Sequence, residues 1–430
     1  MKRFKIYALI IIVLPLMFFS GMCAVNLILD PDEIFRKSAE YPYIAIGNKR
    51  YKNAGVINQH DLRNILVGGS LMDNMVASEV ETVMNWDKVF SLTLRGGQAG
   101  SVVSITQHAL QNHPIENVLF SLQPVRLAYI EADEPDNKRV TRNFSYLYDQ
   151  NRLNDLLAFA QFPTYFLKYK RRKKEQISKL RTEGFPGISD EDLFKASKDL
   201  YGPYMMTGYK EFNRPLFISS LGDASQPPKP LKEQYKQNLR ENYAEHLQPL
   251  VAQNPDTNFI FVVQSKTFLD RKENLETFSY ALKFLVEELS RYPNVKIYNF
   301  ANNDFNDDLR LFRDLHHPHI EISRYMLQSI ANDRHRVRPE TVDDQIQTLK
   351  NILNNYQVKE LWETEYHRLG DGPYPREGYI TYYDAAKLVW GKEFNDQVFN
   401  DIPRSPYLAE ESYVRTDIKT FPSLDDAMSD

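Results

Sequence analysis

Three residues from two distant parts of the chain carry the side chains of nucleophilic acyl chemistry. Ser70 closes the turn Gly68-Gly69-Ser70 directly after the apolar run Asn64-Ile65-Leu66-Val67, and Asp314 and His317 bracket Asp314-Leu315-His316-His317. A serine hydroxyl is a weak nucleophile until an imidazole takes its proton. The imidazole in turn needs a carboxylate to fix its tautomer and stabilise its charged form. An Asp-x-x-His spacing lets both groups face one way from a single turn. Negative charge developing on an attacked carbonyl oxygen needs hydrogen-bond donors. The candidates are the backbone N–H groups near Ser70, those around Gly96 and Gly97, and the side-chain amide of Gln123. Taken singly these features read as structure: Gly-Gly-Ser is a common turn after a strand, and Asp314 suits a helix cap or loop. Their order along the chain is what points to a site. His316 would enter the same place if the loop moved by one residue. His319 makes the segment histidine-rich, but no carboxylate–histidine spacing matches a standard metal site, so neither metal nor other cofactor is expected.

The elements that must bring these residues together are legible as alternating patterns. Apolar runs at 64–67, 88–94, 117–122, 258–263 and 295–300 read as buried strands, and amphipathic spacing at 75–84, 101–111, 275–290 and 320–330 reads as helix. Strand and helix alternate at βαβ spacing, which predicts an α/β domain with a parallel sheet covered on both faces. In such a sheet the carboxyl ends of the strands share one edge, where ligands bind. A serine after the first strand and an Asp/His pair after the last can therefore meet there. The pattern breaks at 149–254, which reads as a helical insertion; its basic cluster 168–174 reads as a solvated helix face, with contact to anionic lipid headgroups or an anionic polymer as the alternative. The α/β domain is thus expected in two pieces, 59–148 and 255–335, followed by a C-terminal extension over 336–430.

The chain carries 53 basic and 57 acidic residues, without the positive excess that a nucleic-acid partner would require. Its one cysteine, Cys23, precludes an intrachain disulfide. Residues 1–5 contain Lys2, Arg3 and Lys5, and no charge falls between Lys5 and Asp30. A run of this length is enough for a helix across a bilayer core, which takes roughly 20 apolar residues. The expectation is a transmembrane anchor over 6–29. Basic residues on one side and Asp30, Asp32 and Glu33 on the other leave the N-terminus cytoplasmic and the globular domain outside. A cleaved signal peptide is the competing reading; Ser20-Gly21-Met22-Cys23 resembles a lipoprotein site, with Met22 ill suited to it. Residues 30–58 then form a juxtamembrane segment.

These motifs resemble those of the SGNH (GDSL-like) hydrolases. The first block is Gly68-Gly69-Ser70, the second a glycine after the second strand, here Gly96 or Gly97, and the last Asp314-Leu315-His316-His317. The usual Gly-x-Asn-Asp third block is absent, and Ser121-Leu122-Gln123 stands in its place. The anchor followed by Asn26-Leu27-Ile28-Leu29-Asp30-Pro31 is similar to membrane-anchored SGNH-like proteins of bacterial envelopes, including the lipoteichoic-acid D-alanylation family. The resemblance implies an SGNH-like three-layer α/β/α fold, with Ser70, Asp314 and His317 catalytic and Gly96, Gly97 and Gln123 as oxyanion donors. It further implies a serine esterase or O-acyltransferase acting on an envelope glycan or acylated polymer, beside a membrane-bound O-acyltransferase partner. The alternative function is a catalytically inactive envelope protein that binds a glycan or membrane partner through the same fold.

Overall fold

The computed structural model describes residues 49–129 apart from 95 and 98, residues 228–303, 306, 316–318 and 320–355, and residues 7, 11–18, 20, 21, 24, 30, 33, 36 and 37 near the N-terminus. In chain order the elements are α1 (Lys49–Gln59), β1 (Asn64–Val67), α2 (Ala77–Met84), β2 (Val89–Ser91), α3 (Ala99–Asn112), β3 (Asn117–Leu122) and the short α4 (Pro124–Leu127). They continue with α5 (Glu233–Asn242), α6 (Gln248–Ala252), β4 (Asn258–Val263), α7 (Phe268–Glu273), α8 (Leu275–Leu289), β5 (Val295–Asn299), α9 (Ile320–Ala331) and α10 (Val342–Asn354). The strands form one sheet in the order β2-β1-β3-β4-β5. Every pairing is parallel, with Ile65 beside Phe90 and Val118, Val118 beside Phe259, and Phe259 beside Val295.

Successive side chains on a strand point to opposite faces, and here both faces are apolar. Ile65, Val67, Val118, Phe120, Phe259 and Phe261 join one core with α1, α3, α5, α6, α8 and α10. Leu66, Leu119, Ile260, Val262 and Tyr298 join the other with α2 and α9. The result is the expected α/β architecture, a parallel sheet between two helical layers. The chain runs outward from β1 to β2 and then returns past β1 to β3. That reversal opens a crevice above the carboxyl ends of β1 and β3, the place where doubly wound sheets bind ligands.

Three boundaries differ from those read in the sequence. Residues 233–252, assigned to the insertion, bury Tyr235, Leu239, Tyr243, Leu247, Leu250 and Val251 in the core that covers the sheet. The helix α10, assigned to the C-terminal extension, does the same through Val342, Leu349 and Leu353, and Arg336 bridges to Tyr298 of β5. The helix α1, placed in the juxtamembrane segment, contributes Val56 and Ile57. Each is a polar sequence with a narrow apolar stripe, and such a helix gains its stability from the face it buries rather than from composition. The remainder of the insertion, 149–227, and of the extension, 356–430, lies outside the described residues.

Among the described residues no helix is long and apolar enough to cross a membrane; much of the expected anchor, 6–29, lies outside them. Residues 11–18 are helical and expose Ile11, Ile12, Leu14, Leu16, Met17 and Phe18. Past this segment Glu33 is buried, with its carboxylate 3.0 Å from Nε2 of His60 and 3.7 Å from Nζ of Lys52. Asp30 is buried too and accepts the Arg36 N–H at 2.9 Å.

A pH-dependent contribution to stability arises at the end of α9. His335 is partly buried, lies against the rings of Phe300 and Tyr325, and shares a hydrogen bond with the Tyr325 hydroxyl. Burial, with the nearby charge of Arg334, lowers its pKa to about 4. The folded state therefore resists protonation that the unfolded chain accepts near pH 6.5. The stabilisation is complete above about pH 6.5 and is lost as pH falls toward about 4, by on the order of 3 kcal/mol. Urea denaturation at a series of pH values is expected to show this slope, and a His335→Gln variant should flatten it. An unchanged slope in the variant would assign the acid sensitivity to other groups.

Candidate active site

The serine is positioned by a close approach of two strands. A Cβ on Gly68 would stand 2.4 Å from the Ser121 Cβ and 2.7 Å from the Met72 Cγ, so glycine alone lets the end of β1 lie this near the end of β3. Gly69 then opens a 3-10 turn, Ser70–Met72, in which the Met72 N–H donates to the Gly69 carbonyl and the Asp73 N–H to the Ser70 carbonyl, both at 3.1 Å. Leu71 and Met72 are buried and Ser70 is half-buried, so the turn is pinned by its apolar residues while the hydroxyl stays accessible. Beneath it, buried Asp73 accepts from the Thr93 hydroxyl at 2.6 Å and pairs with Lys49 Nζ at 3.2 Å. Lys49 also donates to the Ser91 hydroxyl at 3.2 Å. This network fastens the turn to α1 and to the segment leaving β2.

The Ser70 Oγ lies 2.7 Å from Nε2 of His317. The contact joins residues 247 positions apart in the chain. Two further contacts hold the histidine loop in place. Buried Asn74, just past the serine turn, donates its side-chain N–H to the Pro318 carbonyl at 2.7 Å. Arg324 on α9 meets Glu79 on α2 at 2.6 Å. The helices that continue from the serine and histidine turns are thus clamped to each other. Asp314 lies outside the described residues. His316 takes a different partner, with Nδ1 2.9 Å from the Asp270 carboxylate. The register that sets His317 on the serine directs its neighbour to α7.

The expected oxyanion donors divide. Gln123, at the end of β3, brings its side-chain amide to the serine turn: a Cβ on Gly69 would stand 3.1 Å from Gln123 Nε2. The Ser70 N–H, first in its 3-10 turn, has no acceptor within that turn. Gly97 departs from expectation. Its N–H donates to the Leu94 carbonyl at 2.9 Å, and a Cβ there would meet the Leu94 Cβ at 2.6 Å. Gly97 therefore shapes the loop after β2 and its donor is committed to that loop. Gly96 supplies the left-handed bend, φ +61°, that glycine adopts without strain.

A cleft of about 490 Å³ opens beside the pair, lined in part by Leu71, Gln123, Tyr129, Lys266, Asp270 and His316. Thr267 caps α7 by accepting the Asp270 N–H at 3.4 Å, and the Asp270 carboxylate lies 3.1 Å from Lys266 Nζ and 2.9 Å from His316 Nδ1. Burial alone would raise the Asp270 pKa, but Lys266, His316 and Arg271 outweigh it and hold the group well below the usual carboxylate range. Arg271 donates to the Gln264 carbonyl at 2.9 Å and lies 4.2 Å from the centre of the Phe278 ring. Burial lowers its pKa to about 10, which leaves it charged at neutral pH.

The sequence reading missed Asn74, Lys266 and Asp270. A signal existed for the last two: Lys266 and Asp270 follow the carboxyl end of β4 within one loop and turn, at the same rim as Ser70 and Gln123. Asn74 gave no comparable signal, because its role depends on a loop more than two hundred residues away. Comparison with protein-family models, with curated proteins and with solved structures finds no significant match to this chain.

Proposed function

We propose that this protein is a serine esterase or O-acyltransferase of the SGNH type, anchored by its N-terminal segment with the globular domain on the outer side of the cytoplasmic membrane. The observation that carries the reading is the 2.7 Å contact between the Ser70 hydroxyl and the His317 imidazole, at the rim where the sheet changes direction. His317 Nε2 takes the hydroxyl proton as Oγ bonds to the ester carbonyl carbon. The oxyanion that forms is met by the Gln123 side-chain amide and the Ser70 N–H. Collapse breaks the ester C–O bond, His317 returns the proton to the departing alcohol, and the acyl group remains on Ser70. Water or a sugar hydroxyl, deprotonated by His317, then releases it as acid or as a new ester. Asp314, three residues before His317, is assigned to orient the imidazole.

The outward-facing apolar side chains of residues 11–18 and the charge-free run between Lys5 and Asp30 support the anchor. The location directs the reading to acyl groups on envelope glycans or polymers, with a membrane-bound O-acyltransferase as partner.

A fluorophosphonate probe tests the core of the reading directly. Full-length protein in detergent is expected to be labelled on Ser70, and His317→Ala to slow labelling by at least a hundredfold. Folded protein that takes no label at Ser70 would leave the binding-only alternative.

A further inference from the structure

We propose that a second, smaller cavity at the serine turn is the acyl subsite, and that it restricts the esters Ser70 attacks to those of a two-carbon acyl group, acetyl. The inference rests on the esterase reading and deepens it by naming the acyl class. The cavity holds about 20 Å³ and lies between the serine turn, the end of β3 and the start of α3. Gly69, Ala99, Val102, Val103, Phe120 and Gln123 are among the residues that line it. Ala99, Val102 and Val103 stand at i, i+3 and i+4, so a single face of α3 forms one wall. Val102, Val103 and Phe120 are buried in the core that covers the sheet, which fixes the position of that wall.

Two spaces of very different size flank one partition. Leu122, Gln123 and Arg126 line both the small cavity and the 490 Å³ cleft, so the end of β3 and the beginning of α4 separate them. Gln123 is also the side chain assigned to the oxyanion. A tetrahedral carbon on the Ser70 Oγ carries three other substituents: the oxyanion, the departing alkoxy oxygen and the acyl chain. With the oxyanion on Gln123 at the partition, the other two go to its two sides. A saccharide fits only the large cleft, whose volume is in the range of small-molecule sites. The acyl chain is left with the small cavity, where an apolar lining suits a group that needs no hydrogen bond. Gly69 keeps the entrance beside Ser70 open, since a Cβ there would stand 3.1 Å from Gln123 Nε2 and 3.7 Å from the Gly97 carbonyl oxygen. Size then sets the acyl class. One water-sized group takes roughly 10–15 Å³, so about 20 Å³ admits a methyl group and not a longer chain.

Hydrolysis of p-nitrophenyl acetate and p-nitrophenyl butyrate by the full-length protein in detergent tests the subsite, because the two esters differ only in the acyl chain. Each extra methylene against a fitted apolar wall is worth about tenfold or more, so kcat/KM for acetate is expected to exceed that for butyrate by about a hundredfold. Val103→Ala deepens the cavity and should bring that ratio down to about ten or less. Ala99→Leu fills the cavity from a half-buried position at the start of α3, and should lower kcat/KM for acetate by about tenfold or more. If Val103→Ala does not fold, Ala99→Leu decides alone. Equal rates for the two esters, or an acetate preference that Val103→Ala and an acetate rate that Ala99→Leu leave unmoved, would overturn the subsite. Ser70→Ala is assayed in parallel. Ser70-dependent hydrolysis without chain-length preference removes the acyl subsite alone, whereas hydrolysis that survives Ser70→Ala, or its absence from folded protein, removes the esterase reading and the subsite with it.

Discussion

Ser70→Ala and His317→Ala are each expected to lower hydrolysis of p-nitrophenyl acetate by about 10⁴- to 10⁶-fold, and the double variant to be scarcely worse than either. The reason is that in the proposed mechanism the two side chains act as one unit. Without the imidazole the hydroxyl keeps its proton at neutral pH; without the hydroxyl the imidazole has only water to activate. Their 2.7 Å separation is already within the range needed for proton transfer, so no rearrangement is required to form the pair. Both losses should appear in kcat/KM, measured on full-length protein. Melting temperature should change little, because both residues are only half-buried and water can replace either partner. His316→Ala provides the contrast: its ring is directed to Asp270, and its removal should cost far less than that of His317. A loss below tenfold in Ser70→Ala would show that the hydrolysis arises elsewhere, and equal losses for the two histidines would undo the register assigned to the loop.

Arg324→Met is expected to destabilise the fold by about 3–5 kcal/mol, the largest stability effect foreseen for a single charged side chain. Arg324 and Glu79 form a 2.6 Å ion pair with side chains only 10% and 8% exposed. Burial already pushes the Glu79 carboxyl up, with Arg324 as the group opposing that shift. Removing the guanidinium leaves a carboxylate that must either stay charged in a poor medium or take up a proton. Replacing both residues, as Glu79→Leu/Arg324→Met, should recover most of the loss, since an apolar pair of similar volume incurs no desolvation cost. Urea denaturation at pH 7 reads both variants. A loss under about 1 kcal/mol for Arg324→Met would mean that the pair behaves as a solvated surface contact. The single variant should also impair hydrolysis in its folded fraction. Arg324 sits one turn into the helix that follows the histidine loop, and Glu79 in the helix that follows the serine turn. Small displacements between nucleophile and base are costly, of order 10²-fold for about 1 Å.

Local pattern settled a good deal. The five strands were evident from short apolar runs, because a parallel strand buried on both faces must be hydrophobic at successive positions. The turn after β1 was evident from Gly68-Gly69, and their necessity is visible in the 2.4 Å approach that a Cβ at Gly68 would make. Ser70 and His317 were legible because strand ends in a parallel sheet share an edge, so chain order alone limits where they can lie. Strand order, by contrast, depends on which strands pair, and nothing in any one run states its neighbour. The sequence places α1 in the juxtamembrane segment, α5 and α6 in the insertion and α10 in the extension for a related reason. A helix such as Lys49–Gln59 is polar in composition, and Lys49, Lys52 and Asn53 look solvent-seeking until folding supplies Asp73, Glu33 and the Leu92 carbonyl as their buried partners. The same holds for Asn74, Asp270 and the commitment of the Gly97 donor. Each is decided by a hydrogen bond or charge whose other half comes from a different part of the fold, and the energy of a polar group depends on that partner more than on its own identity. Apolar periodicity is written along the chain because water acts on every residue alike; polar pairing exists only once the chain has closed on itself.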